Sequence, residues 1–319
     1  MSEAFADNIC QLPLPSILNL DSHDLKIFNH YAAYTSASLS DRDSVQLTWR
    51  VAVPKEAIPH SFLMHALLSF ASAHLAQLCP AQRTSYGRGA LVHRNIALRS
   101  CIPSLRNITP KNCHALFAFS SVIAVSTFAF PDALSESQMS PVDNILTFLV
   151  LIRGVNTVLQ GGLDWIKSGS LNPLLQDGRV NWRKQVALLP VTFLAPFERL
   201  HALNVKATPD TNDRKVYEEA IQDLENSYGA YQLIASDRSL VFIWCAIIPR
   251  EYVTLVSARQ PMALVVLAHF AVLLHNVGAQ WWAGDRGKLL VEAIHDELGN
   301  DWKLAVEWPM AVVQRPWPA

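Results

Sequence analysis

Apolar positions recur at three- and four-residue intervals along most of this chain, while the strict alternation of a half-buried strand is scarce. The spacing predicts a first helix through Leu25, Phe28, Tyr31 and Ala32, capped by Asp21 or Ser22. A second begins at Ser61 with Leu63, Leu67, Phe70 and His74 on one side, and stops at Cys79–Pro80 because proline lacks an amide proton. Residues 81–104 form a third, running through Gly87 and Gly89 with Pro103 near its end. An apolar helix over 111–130 precedes a polar loop at 133–141. The next helix, 144–160, is expected to stop at Gly161–Gly162, and residues 161–184 read as a surface loop.

Further on, 213–235 is amphipathic, with Val216, Ala220, Ile221, Leu224, Tyr228 and Tyr231 on one face. Short helices at 240–248 and 251–258 are split by Pro249. Pro261 suits the first turn of a long uncharged run over 260–282, where its missing N–H is no loss. A charged helix over 288–298 ends at Gly299. Together these predict an all-α fold: one large irregular helical domain over 21–319 after an N-terminal extension, 1–20.

Composition narrows the setting. Of 319 residues, 50% are hydrophobic and 17% charged, and 26 basic against 27 acidic residues leave a net charge of −1. No strong cationic field is expected to draw in DNA, so direct nucleic-acid binding is not expected. The five cysteines (Cys10, Cys79, Cys101, Cys113, Cys245) are odd in number and lack any CxxC pair. That spacing argues against a disulfide framework or structural zinc and points to a reducing cytoplasmic or nuclear compartment. The first residues resemble no signal peptide. The uncharged runs at 112–131 and 260–284 approach the roughly 20 apolar residues of a membrane span, but their histidines and missing basic flanks favour buried helices.

Candidate chemistry is sparse. His114, Phe117, Ser121, Val125 and Phe128 would line one helical face, as a cavity wall in which aromatics hold a polycyclic guest and His114 or Ser121 orients a polar group. The same positions serve equally as ordinary core, with Ser121 bonding back to its own helix. Trp244 with Phe242, and Phe270 with Trp281, form a candidate opposite wall, or again simple packing. His65, His74, His269 and His275 lack the spacing of a helical zinc site and read as satisfied buried histidines; no metal or other cofactor is expected. HExxH, DDxxD, GxSxG, Walker and GxGxxG motifs do not occur.

Several landmarks carry a family resemblance. They are LKIFNHYAAYTSASL at 25–39, Trp49, Val53–Pro54, HSFLMHALLSFASAHLA at 60–76, Tyr86, Ala90, His93 and Ala97–Leu98. Toward the C-terminus follow Pro261, Ala263–Leu264, Leu267, Ala268, His269, Trp281–Trp282, Trp302 and Trp308–Pro309. In these positions the chain resembles the C-terminal regulatory domain of fungal sterol-uptake-control transcription factors, part of the zinc-cluster regulator group. The resemblance implies an all-α domain with an apolar cavity for a sterol. The family's N-terminal six-cysteine zinc cluster has no counterpart in this sequence, so the expected function is a binding module without its own DNA-binding domain. Its partner would be a sterol, terpenoid or polyketide, with regulation through a homodimer or a regulator protein. The alternative is a cofactor-free enzyme of fungal secondary metabolism, cyclising a terpenoid or polyketide in the same cavity by enforcing its conformation.

Overall fold

The computed structural model describes residues 20–129, 139–175, 189, 191–233 and 238–316. Every regular element among them is helical. Most of the 1–20 extension and of the 133–141 loop lies outside the described residues.

Helix α1, Ser22–His30, starts with a capping box: the Asp21 carboxylate accepts the His23 and Asp24 amides at 2.7 and 2.8 Å, and Asp24 reaches back to the Asp21 amide. Its buried row is Ile27, Tyr31 and Thr35, at four-residue spacing, because a wide turn at Tyr31–Thr35 follows the helix directly. Leu25, expected on the inner face, is instead 57% exposed. Short helices α2 (Asp43–Leu47) and α3 (Val53–Ala57) lead to α4, Ser61–Leu78. Helix α4 is apolar on nearly all sides and lies between α1, α5 (Arg83–Leu105) and α6 (Cys113–Ala129).

The sequence expectation of a break at Gly161–Gly162 holds in part at the next helix. Helix α7 runs from Pro141 to Ser168 straight past Gly161 and bends at Gly162, where φ is −135° and ψ 15°. Packing explains the continuity: a Cβ at Gly162 would stand 2.9 Å from Cys113 Cβ, so the start of α6 presses against the bend. The first helical segment is therefore interrupted at Gly162, as a kink that lets two helices touch, and helix resumes to Ser168 where a loop was expected; residues 176–184 of that loop lie outside the described residues. Helix α8, Val191–Ala207, holds Pro196 inside and was not anticipated.

Helix α9 (Thr211–Leu233) buries Tyr217, Ala220, Ile221, Leu224 and Tyr228. After α10 (Ile243–Ile247) and α11 (Arg250–Ser257) comes α12, Pro261–His275, with Pro261 in its first turn. Every α12 residue from Met262 to His275 is buried, which makes it the axis of the C-terminal half. Against it stand α8, α9, α11, α13 (Arg286–Glu297) and α15 (Glu307–Val313), while α14 is the short Asn300–Lys303. Trp308 closes that half by stacking on His269 at 5.2 Å. Helices α6 and α12 span 17 and 15 residues. Among the described residues no single helix is long and apolar enough to cross a membrane.

Candidate functional site

The end of α4, the start of α5, the end of α6 and the turn from α12 into α13 converge on a half-open cleft of about 550 Å³. Its apolar surface comes from Ala76, Pro80, Phe128, Trp281 and Leu289, and its ionisable lining from Arg83, Asp285 and Arg286. A second, narrower cavity of about 60 Å³ lies beside it, lined by Thr127, Asn144, Ile145 and Leu274 among others. Phe128, Arg286 and Leu289 border both spaces.

Trp281 holds the two halves of the molecule together at this point. Its indole N–H donates to Ser38 Oγ at 2.7 Å, and its ring stacks on His74 at 4.5 Å with Phe70 at 4.9 Å. His74 Nδ1 lies 3.0 Å from Thr35 Oγ1 and 3.3 Å from His30 Nε2. Burial, aided by the neighbouring His30, brings the His74 pKa down to about 4, so a neutral ring backs the indole. Phe128 leans on Phe148 at 4.5 Å and on Phe242 at 5.6 Å, and Phe242 meets Trp282 at 5.5 Å. An aromatic cluster thus stiffens the inner wall.

Two of the seven side chains singled out in the sequence, Phe128 and Trp281, line the cleft. Trp244 and Phe270 instead face each other at 4.7 Å in the core, with the Trp244 indole N–H bonded to the Ala220 carbonyl at 2.8 Å. His114, Phe117 and Ser121 stand further back along α6. Ser121 Oγ bonds to the Phe117 carbonyl at 2.9 Å, and the His114 ring lies against Gly169, its Nε2 buried without a partner. Sequence reasoning missed Arg83, Arg286 and Leu289. The signal for Leu289 was an apolar residue on the outer face of a charged helix, where it is 48% exposed.

The four interior histidines each find a partner. His65 Nδ1 is 3.0 Å from His93 Nδ1, which joins α4 to α5, and His93 Nε2 reaches Asp24 at 3.2 Å. His269 Nδ1 meets the Val265 carbonyl at 2.8 Å and His275 Nε2 the Arg315 carbonyl at 3.1 Å. Among the described residues no group of three or more histidine, cysteine or carboxylate side chains could hold a metal, and Cys79, Cys101, Cys113 and Cys245 are free thiols. These residues do not fit a six-cysteine zinc centre.

Burial depresses the pKa of His30, His65, His74, His93, His269 and His275, that of His269 also to about 4. The unfolded chain then binds protons that the folded chain refuses. The stability these groups contribute is complete above the ordinary histidine value and is lost as pH falls from there toward about 4. His201 behaves oppositely. Held by Glu225 at 3.3 Å and Glu218 at 2.8 Å, its pKa rises to about 9, and its contribution is present in acid and lost as pH climbs toward that value. The six depressed groups outweigh the single raised one, so the melting temperature falls between about pH 7 and about pH 5. His74→Gln flattens that fall in thermal melts; a wild-type melting temperature unchanged across this window contradicts the assignment.

A Zn(2)-C6 fungal-type transcription factor of Gibberella zeae is 25% identical over 312 aligned residues, covering 91% of this chain and 61% of the relative. Sterol uptake control protein 2 of Candida albicans is 31% identical over 151 residues, 44% of this chain and 19% of that protein. Its namesake in Saccharomyces cerevisiae is 33% identical over 118 residues, 35% of this chain and 12% of that protein. No protein-family model matches the chain. The all-α chain is thus homologous to a fungal Zn(2)-C6 transcription factor and to sterol uptake control proteins. It spans only part of the length of each relative.

Proposed function

We propose that this domain is a small-molecule sensor of the fungal transcription-regulator type, and that its cleft holds an apolar guest of sterol, terpenoid or polyketide size. The observation that carries this is a half-open space of about 550 Å³ with Phe128, Trp281 and Leu289 on its surface. Small-molecule sites fall between roughly 300 and 1,000 Å³ and combine an apolar lining with a few polar groups. Homology to sterol uptake control proteins supports the guest class, and homology to a transcription factor supports a nuclear location.

The route from guest to response runs through Trp281. A guest resting on this ring strengthens the packing that ties Ser38 and His74 to the C-terminal half. It shifts the domain only by its difference in affinity for the docked and undocked arrangements. The cyclisation reading draws on nothing in the cleft beyond its volume, so sensing is the reading carried forward.

Leu289→Trp tests the proposal, because it fills both spaces from a half-exposed position on α13. Titration with a fluorescent sterol and with an isoprenoid alcohol is expected to saturate for at least one of them in the wild-type protein. The variant loses affinity at least tenfold, equivalent to about 1.4 kcal/mol, at an unchanged melting temperature. Equal binding by wild type and variant contradicts the placement.

A further inference from the structure

Helix α5 buries one row of side chains and leaves the opposite side open. Gly87, Ala90, His93, Ala97 and Cys101 form the buried row at three- and four-residue spacing. They seat the helix on α4, where Ser69 Oγ donates to the Ala90 carbonyl at 2.8 Å and His65 lies beside His93. Arg88, Val92, Asn95, Arg99, Ile102 and Arg106 follow the same spacing on the far side, and all six are exposed. Val92 and Ile102 present more than half of their surface, at 56% and 53%. A seam of alternating three- and four-residue steps is what one helix offers to a second helix lying along it.

The charges on this seam have one sign. No aspartate or glutamate occurs between Glu56 and Asp132, so α4, α5 and α6 hold no acid to answer them. Asp24 of α1 reaches α5 at His93, in the buried row, at 3.2 Å. Among the described residues no carboxylate pairs with Arg88, Arg99 or Arg106. A second copy of the same face would set arginine against arginine, which opposes self-pairing. A membrane is matched less well: the seam has none of the Trp, Tyr or Phe that anchor interfacial helices, and a net charge of −1 gives the chain no wider pull toward anionic lipid.

We propose that this seam docks an acidic amphipathic helix of a partner protein. Its apolar side chains rest on Val92 and Ile102, and its carboxylates, three to four residues apart, meet Arg88, Arg99 and Arg106. From Arg88 to Arg106 the seam measures about 27 Å at 1.5 Å per residue, about five turns of partner helix. It does not border the cleft, to which α5 contributes Arg83, so the surface stands independently of the small-molecule reading.

The test uses three labelled five-turn peptides that share one leucine stripe and carry glutamate, glutamine or lysine beside it. Each is titrated against the purified protein by fluorescence anisotropy. The glutamate peptide is expected to bind about tenfold tighter than the glutamine peptide, the scale of three exposed ion pairs, and the lysine peptide weakest. Arg88→Glu combined with Arg99→Glu reverses that order at an unchanged melting temperature, because both side chains are exposed. Val92→Ser weakens the glutamate and glutamine peptides alike. Added salt weakens the glutamate peptide more than the glutamine peptide.

If the three peptides bind equally or not at all, the proposal is overturned. If the charge-reversed variant keeps the wild-type order, the acidic helix is held elsewhere and the proposal is again overturned. Two further outcomes reassign the face when no peptide preference is seen. Phosphatidylserine vesicles that bind wild type and not the reversed variant give it to a membrane, and a dimer in sedimentation that the reversed variant abolishes gives it to a second copy.

Discussion

Trp244→Ala lowers the free energy of unfolding by about 3–5 kcal/mol, the cost of truncating a large aromatic in a closed core. Trp244 is fully buried. One face of its indole stacks on Phe270 at 4.7 Å, and Tyr252 meets it edge-on at 5.5 Å. Its N–H donates to the Ala220 carbonyl of α9 at 2.8 Å, so one side chain joins α9, α10, α11 and α12. Alanine removes all of this and leaves a void that rigid helices cannot close. Trp244→Phe keeps most of the packing and forfeits chiefly the hydrogen bond, for about 1 kcal/mol. Urea unfolding of both variants checks the ordering. An alanine variant within about 1 kcal/mol of wild type means that this core is not closed around Trp244.

Gly287→Ala is the second large effect, and it acts through backbone rather than side chain. Gly287 lies in the first turn of α13, where that helix crosses the end of α12. A Cβ there would stand 2.6 Å from the Ala271 carbonyl oxygen and 2.7 Å from His275 Cα, and would collide with the His275 amide nitrogen. Helix backbone cannot rotate aside as a side chain does, so the two helices must separate. Overpacking of this kind costs about 1–3 kcal/mol, with the upper end expected here. Because Arg286 and Leu289 flank Gly287 on the cleft, the variant also weakens guest binding, whereas Trp244→Ala disturbs a core that does not border the cleft. Thermal melts together with a binding titration distinguish the two. A Gly287→Ala protein as stable as wild type contradicts the close crossing.

The parts of this fold that were legible in the sequence are those decided locally. Asp21 caps α1 because its carboxylate meets the nearest free amides. The uncharged run after Pro261 is helix because nothing within it breaks one, and it is central because it has no polar face to offer water. What escaped was decided by partners distant in sequence. Gly161–Gly162 has the composition of a helix stop, and only the closeness of Cys113 at the start of α6, and of Ile108 in the connection before it, shows why glycine stands there. Pro196 hid α8, since an interior proline argues against a helix that tertiary contacts nonetheless hold.

The candidate site divides along the same line. Periodicity identifies which face of a helix is apolar but not whether the facing surface is near or absent. That is why Phe128 at the cleft and Phe270 against Trp244 looked alike in the sequence. The cleft lining joins Arg83 to Arg286, two helix starts far apart along the chain, and no local pattern links them.

The central claim is that an apolar guest sits on Phe128, Trp281 and Leu289. Photoaffinity labelling with a diazirine-bearing isoprenoid, followed by peptide mapping, tests it most directly. Labels are expected on the segments that carry Phe128, Trp281 and Leu289, competed away by unlabelled compound and absent from Leu289→Trp. Labels that fall elsewhere, or that persist unchanged in the filled variant, contradict it.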